Sequence, residues 1–175
     1  MKIPRILLAA GSSGSGKTLI TCGILQALME RGVKTASFKC GPDYIDPMFH
    51  SRVIGTKSRN LDTFFTESEV TRYLLARTAK DSEIAVMEGV MGFYDGVAGT
   101  TTRASAYDLA KVTDTPVILI VNSRGMSVSL AAYVRGFMEY RKDSHIRGVI
   151  FNQMSPMLYP RMKKLLEEEL GIAVL

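Results

Sequence analysis

The stretch Gly11-Ser12-Ser13-Gly14-Ser15-Gly16-Lys17-Thr18 limits what this chain can fold into more than any other. It follows the apolar run Ile6-Leu7-Leu8-Ala9-Ala10, which reads as a buried parallel strand, and precedes Leu19–Met29, which reads as a helix. Strand, Gly-rich turn and helix are the context that a G-x-x-x-x-G-K-[ST] match requires. Gly11, Gly14 and Gly16 permit positive φ and a close approach of the backbone to an anion. The amides of residues 14–18 then face phosphate oxygens beside the positive end of a helix dipole. Gly14, Ser15, Gly16, Lys17 and Thr18 are therefore the candidate nucleotide-binding residues. Lys17 is placed for the β- and γ-phosphates and Thr18 for Mg²⁺.

The rest of the chain alternates apolar runs with amphipathic stretches, the signature of a parallel sheet covered by helices on both faces. Strands are expected near 4–10, 33–40, 83–88, 116–122 and 146–151, and helices near 17–31, 67–80, 104–114, 127–141 and 158–170. Gly32 reads as a left-handed cap on the first helix. With 175 residues the chain is one domain with room for a core. No apolar run reaches about 18 residues, and the N-terminus shows no signal-peptide pattern, so a cytoplasmic protein without a membrane segment is expected. Cys22 and Cys40, the only cysteines, have neither metal nor disulfide spacing and read as core residues of a reduced protein. The net charge of +5 is scattered, which suits an anionic ligand and gives no nucleic-acid module. At the far end, Gly171-Ile172-Ala173-Val174-Leu175 begins another strand. The reading favours a longer protein cut here over a short edge strand.

In an open α/β sheet, ligands sit outside the carboxyl ends of the strands. After the second strand comes Phe38-Lys39-Cys40-Gly41-Pro42-Asp43-Tyr44-Ile45-Asp46-Pro47, and the third ends at Glu88 before a Gly-rich loop. Mg²⁺ takes one or two carboxylates plus phosphate oxygens and water, so Thr18, Asp43 and Glu88 are candidate metal ligands. Lys39, expected one strand over from Lys17, could offset charge on a transferring phosphoryl group. Taken singly, Asp43 and Asp46 also fit turn chemistry.

Lys39–Pro47, Ser58-Arg59-Asn60-Leu61-Asp62 and Glu88-Gly89-Val90-Met91-Gly92-Phe93-Tyr94-Asp95-Gly96 together closely resemble the N-terminal synthetase domain of the cobyrinate a,c-diamide synthase family. These are dethiobiotin-synthetase-like amidoligases of cobalamin biosynthesis, and the resemblance covers essentially all of residues 1–175 as one ATP-binding synthetase domain. It implies a P-loop NTPase-like α/β three-layer sandwich with a mostly parallel central sheet. It also implies a two-step reaction with ATP and Mg²⁺: a carboxylate of the corrinoid tetrapyrrole attacks the γ-phosphate, and ammonia then displaces phosphate from the acyl phosphate. The a- and c-acetate groups are amidated in turn.

By position, Lys17, Lys39, Asp43 and Glu88 match the catalytic set, and Thr18, Asp43 and Glu88 the metal ligands. Tyr44, Asp46, Arg59, Asn60 and Asp62 fall where the acid substrate lies, and Asn152 where related synthetases recognise adenine. A carboxylate ionised at neutral pH needs no general base. His50 and His145 are therefore expected in surface or packing roles, with His50 close enough to the Asp46 loop to touch substrate. Family members carry a C-terminal glutaminase domain that makes the ammonia. Neither cysteine here lies in a nucleophile turn, so this chain is expected to use ammonia from elsewhere, and a homodimer is compatible with the resemblance. The same motifs also fit synthases acting on nickel sirohydrochlorin. Partitioning-type switch ATPases carry a second lysine where Ser12 stands, and dethiobiotin synthetase acts on a smaller substrate than the Gly-Pro-Asp-Tyr-Ile-Asp-Pro loop suggests. A module that holds ATP without turnover is the remaining alternative.

Overall fold

In the computed structural model, which describes residues 3–175, the first apolar run forms β1 (Arg5–Ala10) and the Gly-rich turn feeds α1 (Lys17–Glu30). The chain continues through β2 (Thr35–Cys40) and a short α2 (Ile45–Phe49) that runs into a π-helical turn (His50–Ile54). Then come β3 (Lys57–Leu61), α3 (Ser68–Ala79), β4 (Ile84–Glu88) and a 3₁₀ turn at Val97–Gly99. The second half holds α4 (Ala106–Thr113), β5 (Val117–Asn122), α5 (Ser129–Glu139), β6 (Ile146–Asn152), α6 (Tyr159–Leu170) and β7 (Ala173–Val174). One seven-stranded sheet results, in the order β3-β2-β4-β1-β5-β6-β7, and every strand pairing among the described residues is parallel. The expected α/β sandwich is observed, with a sheet that is wholly parallel.

Strand alternation sorts the core into two layers. Leu8, Ala10, Val86 and Ile120 pack under α1 with Leu25 and, from the π-helical turn, Ile54. Leu7, Ala9, Phe38, Met87 and Leu119 face α3, α4 and α5 on the other side, with Leu75, Leu109 and Leu130. Each large apolar side chain so buried contributes about 1.5–3 kcal/mol. On β2 the alternation is asymmetric: Ala36, Phe38 and Cys40 join the second layer, which leaves Ser37 and Lys39 buried beneath the α1 side. Glu88 follows Val86 by two residues on β4 and faces the same side. Period-2 geometry alone thus delivers Lys39 and Glu88 to one layer.

Three expectations need correction. Lys57–Leu61 is an edge strand paired in parallel with β2, where only a substrate segment was expected. Its polar sequence carries no apolar run, because an edge strand gains its stability from the backbone ladder and one buried anchor, Leu61. The Asp43–Pro47 loop tightens into α2, with Pro47 in the first turn, where its missing N–H costs nothing. Lys39 lies two strands from Lys17, because β4 inserts between β2 and β1. Gly32 (φ 72°) is left-handed after α1 as the sequence reading has it, and Gly171 (φ 62°) ends α6 in the same conformation. The C-terminal apolar residues pair with β6 through Gly148–Ala173 and Val149–Val174. No helix among the described residues is long and apolar enough to cross a membrane.

Candidate active site

The site is built on the carboxyl ends of β2, β4 and β1, three neighbours in the sheet. A cleft of about 400 Å³ there is lined by Ser13, Gly14, Gly16, Lys17 and Thr18 from the Gly-rich turn and by Lys39, Asp43, Glu88 and Gly89–Met91. Gly16 adopts φ +91°, and a Cβ there would run into the Asn152 amide nitrogen, so only glycine fits. Gly11 serves a different end, since its φ is not positive; a Cβ would collide with the Tyr133 ring, whose packing requires the bare backbone.

Lys39 and Glu88 are register partners on β2 and β4. Glu88 is 0% and Lys39 5% exposed, and their Nζ–Oε1 distance is 2.7 Å. Lys39 Nζ also donates to Asp46 Oδ2 at 2.5 Å and lies 4.0 Å from Asp43 Oδ2. Burial pulls the lysine pKa down, but the Glu88 and Asp46 carboxylates outweigh it, and the Lys39 pKa stands above the ordinary lysine value. Thr18 Oγ1 donates to the same Glu88 Oε1 at 2.5 Å. Lys17 folds back over its own turn, donating to the carbonyls of Ser12 (3.1 Å) and Met91 (2.7 Å). Burial, then repulsion from Lys39, lowers its pKa. Met91 holds φ 47°, an uncommon conformation for a side chain of its size, in the loop that follows Glu88.

Among the described residues no three His, Cys, Asp or Glu side chains form a metal cage. The donors present (the Thr18 hydroxyl, Glu88 and the free Oδ2 of Asp43) are hard oxygens. They suit Mg²⁺, which completes its shell with phosphate oxygens and water. The second oxygen of Glu88 is buried without a hydrogen-bond partner. Asp43 has two occupations, because its Oδ1 accepts the Ile45 and Asp46 amides and so caps α2.

The residues expected at the acid substrate divide. Asp46 joins the Lys39 cluster, and Tyr44, 84% exposed, stands open beside it. Asn60 instead holds the loop, donating to the Asp43 carbonyl at 2.6 Å, and Arg59 points to solvent from the edge strand. Asp62 accepts the Phe64 amide and lines a second cleft of about 340 Å³ with Pro42, Phe64, Phe65 and Val97. That apolar cleft shares Val90 and Met91 with the cleft at the Gly-rich turn. Asn152 lies outside the lining of the Gly-rich-turn cleft and donates to the Ser15 carbonyl at 2.9 Å, clamping the turn.

Sequence reasoning gave no site role to Asp95, Phe64 or Phe65, and left His50 between a surface or packing role and a contact with substrate. Asp95 accepts the Gly92 amide and lines the apolar cleft; its signal was the Gly92–Gly96 motif that contains it. Phe64 and Phe65, both exposed, are an unusual aromatic pair for a surface loop. His50 is fully buried against Glu88, and nothing local in the sequence announces that.

Comparison with known proteins places this geometry. Residues 6–175 match the family model described as CobQ/CobB/MinD/ParA nucleotide binding domain. The chain is similar to the cobyrinate a,c-diamide synthase of Priestia megaterium, 40% identical over 171 residues that make up 97% of this chain and 37% of that protein. It is equally similar to the hydrogenobyrinate a,c-diamide synthase of Streptomyces coelicolor, 40% identical over 99% of this chain and 36% of that protein. The chain therefore spans little more than a third of the length of these relatives. Chloroplast FtsY from Physcomitrella patens shares the fold alone, with a TM-score of 0.70 at 12% identity over 99% of this chain and 58% of that one. With the family model covering nearly every residue, the chain belongs to the CobQ/CobB/MinD/ParA nucleotide-binding domain family.

Proposed function

We propose that this chain is the ATP-dependent synthetase domain of a corrinoid a,c-diamide synthase, which phosphorylates an acetate side chain of cobyrinate so that ammonia can convert it to a carboxamide. The observation that carries this reading is the convergence of Thr18, Lys39, Asp43 and Glu88 on the phosphate turn. The names of the full-length relatives support the substrate class. The apolar cleft adjoining the phosphate cleft at Val90 and Met91 supports an acid carried on a large apolar body. The absence of a lysine at Ser12, which only bonds within its own turn, favours a ligase over a dimer-activated switch.

Phosphoryl transfer asks mainly for position and charge stabilisation. The amides of the turn and Lys17 hold the β- and γ-phosphates once Lys17 leaves the Ser12 and Met91 carbonyls. Thr18, Glu88 and Asp43 would hold Mg²⁺, which supplies charge neutralisation on the phosphates. Lys39 sits between these ligands and Asp46, where it meets the charge that builds as the substrate carboxylate attacks phosphorus and ADP departs. In the second step the nitrogen lone pair of ammonia attacks the acyl carbon, and inorganic phosphate leaves with the bonding pair. The ammonia comes from a glutaminase domain outside this chain. Asn152 positions the turn through the Ser15 carbonyl, and by its place at the end of β6 it would be the residue to meet adenine.

The test is to incubate the chain with ATP, MgCl₂ and cobyrinic acid, with ammonium chloride or glutamine as nitrogen source, and to follow ADP and product mass. ADP formation stimulated by the tetrapyrrole acid, with amidation from ammonium alone, is expected. Amidation from glutamine by this chain, or ATP hydrolysis indifferent to every tetrapyrrole acid tried with the full-length protein, would overturn it.

A further inference from the structure

Glu88 and His50 face each other across a gap that neither has closed. The Glu88 carboxylate is fully buried, and its load is one-sided: Oε1 takes both Thr18 and Lys39, while Oε2 has no partner. His50 is equally buried, both its ring nitrogens are unpartnered, and Nε2 lies 3.8 Å from Glu88 Oε2. Each such orphan costs about 1–3 kcal/mol, more for a charged group, and an N–H···O bond needs only about 1 Å of approach here.

The backbone presents this ring deliberately. His50 opens the π-helical turn, a rare element that recurs at functional sites. Its carbonyl accepts both the amide and the hydroxyl of Thr56, and that hydroxyl bonds Ser37 on β2, two residues before Lys39. The backbone of His50 is thus tied to the strand that carries Lys39, and its ring lies against the Glu88 carboxylate at the end of β4. Side chains that hydrogen-bond a metal-ligating carboxylate from behind set its orientation.

We infer that His50 is a positioning residue: its Nε2–H holds Glu88 Oε2 and so turns Oε1 toward the divalent cation in the phosphate cleft. This rests on the ATP–Mg²⁺ reading above. Thr18 and Lys39 both load Oε1, and the Thr18 hydroxyl turns to the cation once nucleotide binds, so Oε2 is the oxygen left by which the carboxylate can be held from behind.

The experiment titrates MgCl₂ into the full chain with the analogue β,γ-imido-ATP and reads nucleotide affinity by calorimetry, for wild type, His50→Ala and His50→Gln. His50→Ala is expected to raise the half-effective Mg²⁺ concentration by about 10–100-fold, with magnesium-free affinity unchanged. His50→Gln, whose amide can donate, is expected to recover most of that loss. Unchanged Mg²⁺ dependence in His50→Ala overturns the inference. If that variant does not fold, His50→Gln against wild type and the nitrogen-15 spectrum of ligand-free wild type decide. An Nε2–H tautomer supports the assignment, and an Nδ1–H tautomer alone overturns it. Wild type that binds no magnesium nucleotide removes the ATP reading and this inference with it. That failure differs from a His50 failure, in which wild type binds and the variants match it.

Discussion

Lys39 offers the sharpest perturbation, because its ammonium is the main counter-charge to a carboxylate with no access to water. Substituting Lys39→Met keeps the aliphatic stem that fills the space above β2 and removes only the charge. Glu88 would then be buried with Thr18 as its one hydrogen-bond donor at 2.5 Å and no cation in contact except, at 3.8 Å, a histidine whose pKa burial lowers. Removing one partner of a buried ion pair costs about 3–5 kcal/mol. For a chain of this size that corresponds to about 10 °C of Tm or slightly more. Adding Glu88→Gln removes the stranded charge, so the double variant should recover about 2–3 kcal/mol of coupling. The pH sign can be checked as well. A folded-state lysine pKa above 10.5 contributes stability that is complete below the unfolded value and lost only as pH rises through the folded one. The gap between wild type and Lys39→Met should therefore persist through neutral and mildly alkaline pH and close only beyond about 10.5. Urea unfolding followed by circular dichroism measures all of this. In single-turnover assays, magnesium-nucleotide affinity should stay within about threefold while phosphoryl transfer falls about 10²–10³-fold. A Lys39→Met protein as stable as wild type, or one that Glu88→Gln does not rescue, would refute the ion-pair argument. Parallel losses of nucleotide affinity and transfer would refute the transition-state role.

Two further outcomes follow from the same geometry. Asn152→Ala removes the clamp on the Ser15 carbonyl, a contact worth about 1 kcal/mol, and should weaken nucleotide binding about fivefold with little change in Tm, as calorimetry and thermal melts would show. Burial, reinforced by Asp62, pushes the Cys40 thiol up to about 12, so it should resist a thiol reagent at pH 8 in the native protein and react at once in guanidinium; rapid native labelling of Cys40, located by peptide mass, would contradict its placement in the core.

What could be read from the sequence was what the chain states locally. β1, β4 and β5 are covered on both faces over most of their length, and their apolar runs, like Gly148–Phe151 of β6, were legible as strands. β3 gave no such signal, because Lys57 and Arg59 point outward from a sheet edge and its stability comes from pairing with β2. The turn from Gly11 to Thr18 announced itself because its chemistry is contained in eight adjacent residues. The partners that complete the site are not local. Asn152 reaches Ser15 across 137 positions, and Lys39 meets Glu88 only because β4 inserts between β2 and β1. The sequence names Lys39 and Glu88 as polar residues near strand ends, yet no local pattern states the strand order that makes them partners. That order also explains why the two lysines are unlike. With β4 between β2 and β1, Glu88 separates the strand of Lys39 from the strand whose following turn leads to Lys17, and it has its carboxylate against Lys39. Lys39 is thereby bound into a cluster of acids, while Lys17 has only two carbonyl oxygens to leave. In the proposed reaction, Lys17 is therefore the lysine free to follow the phosphates, and Lys39 the one held in place for the charge that develops between them and the acid.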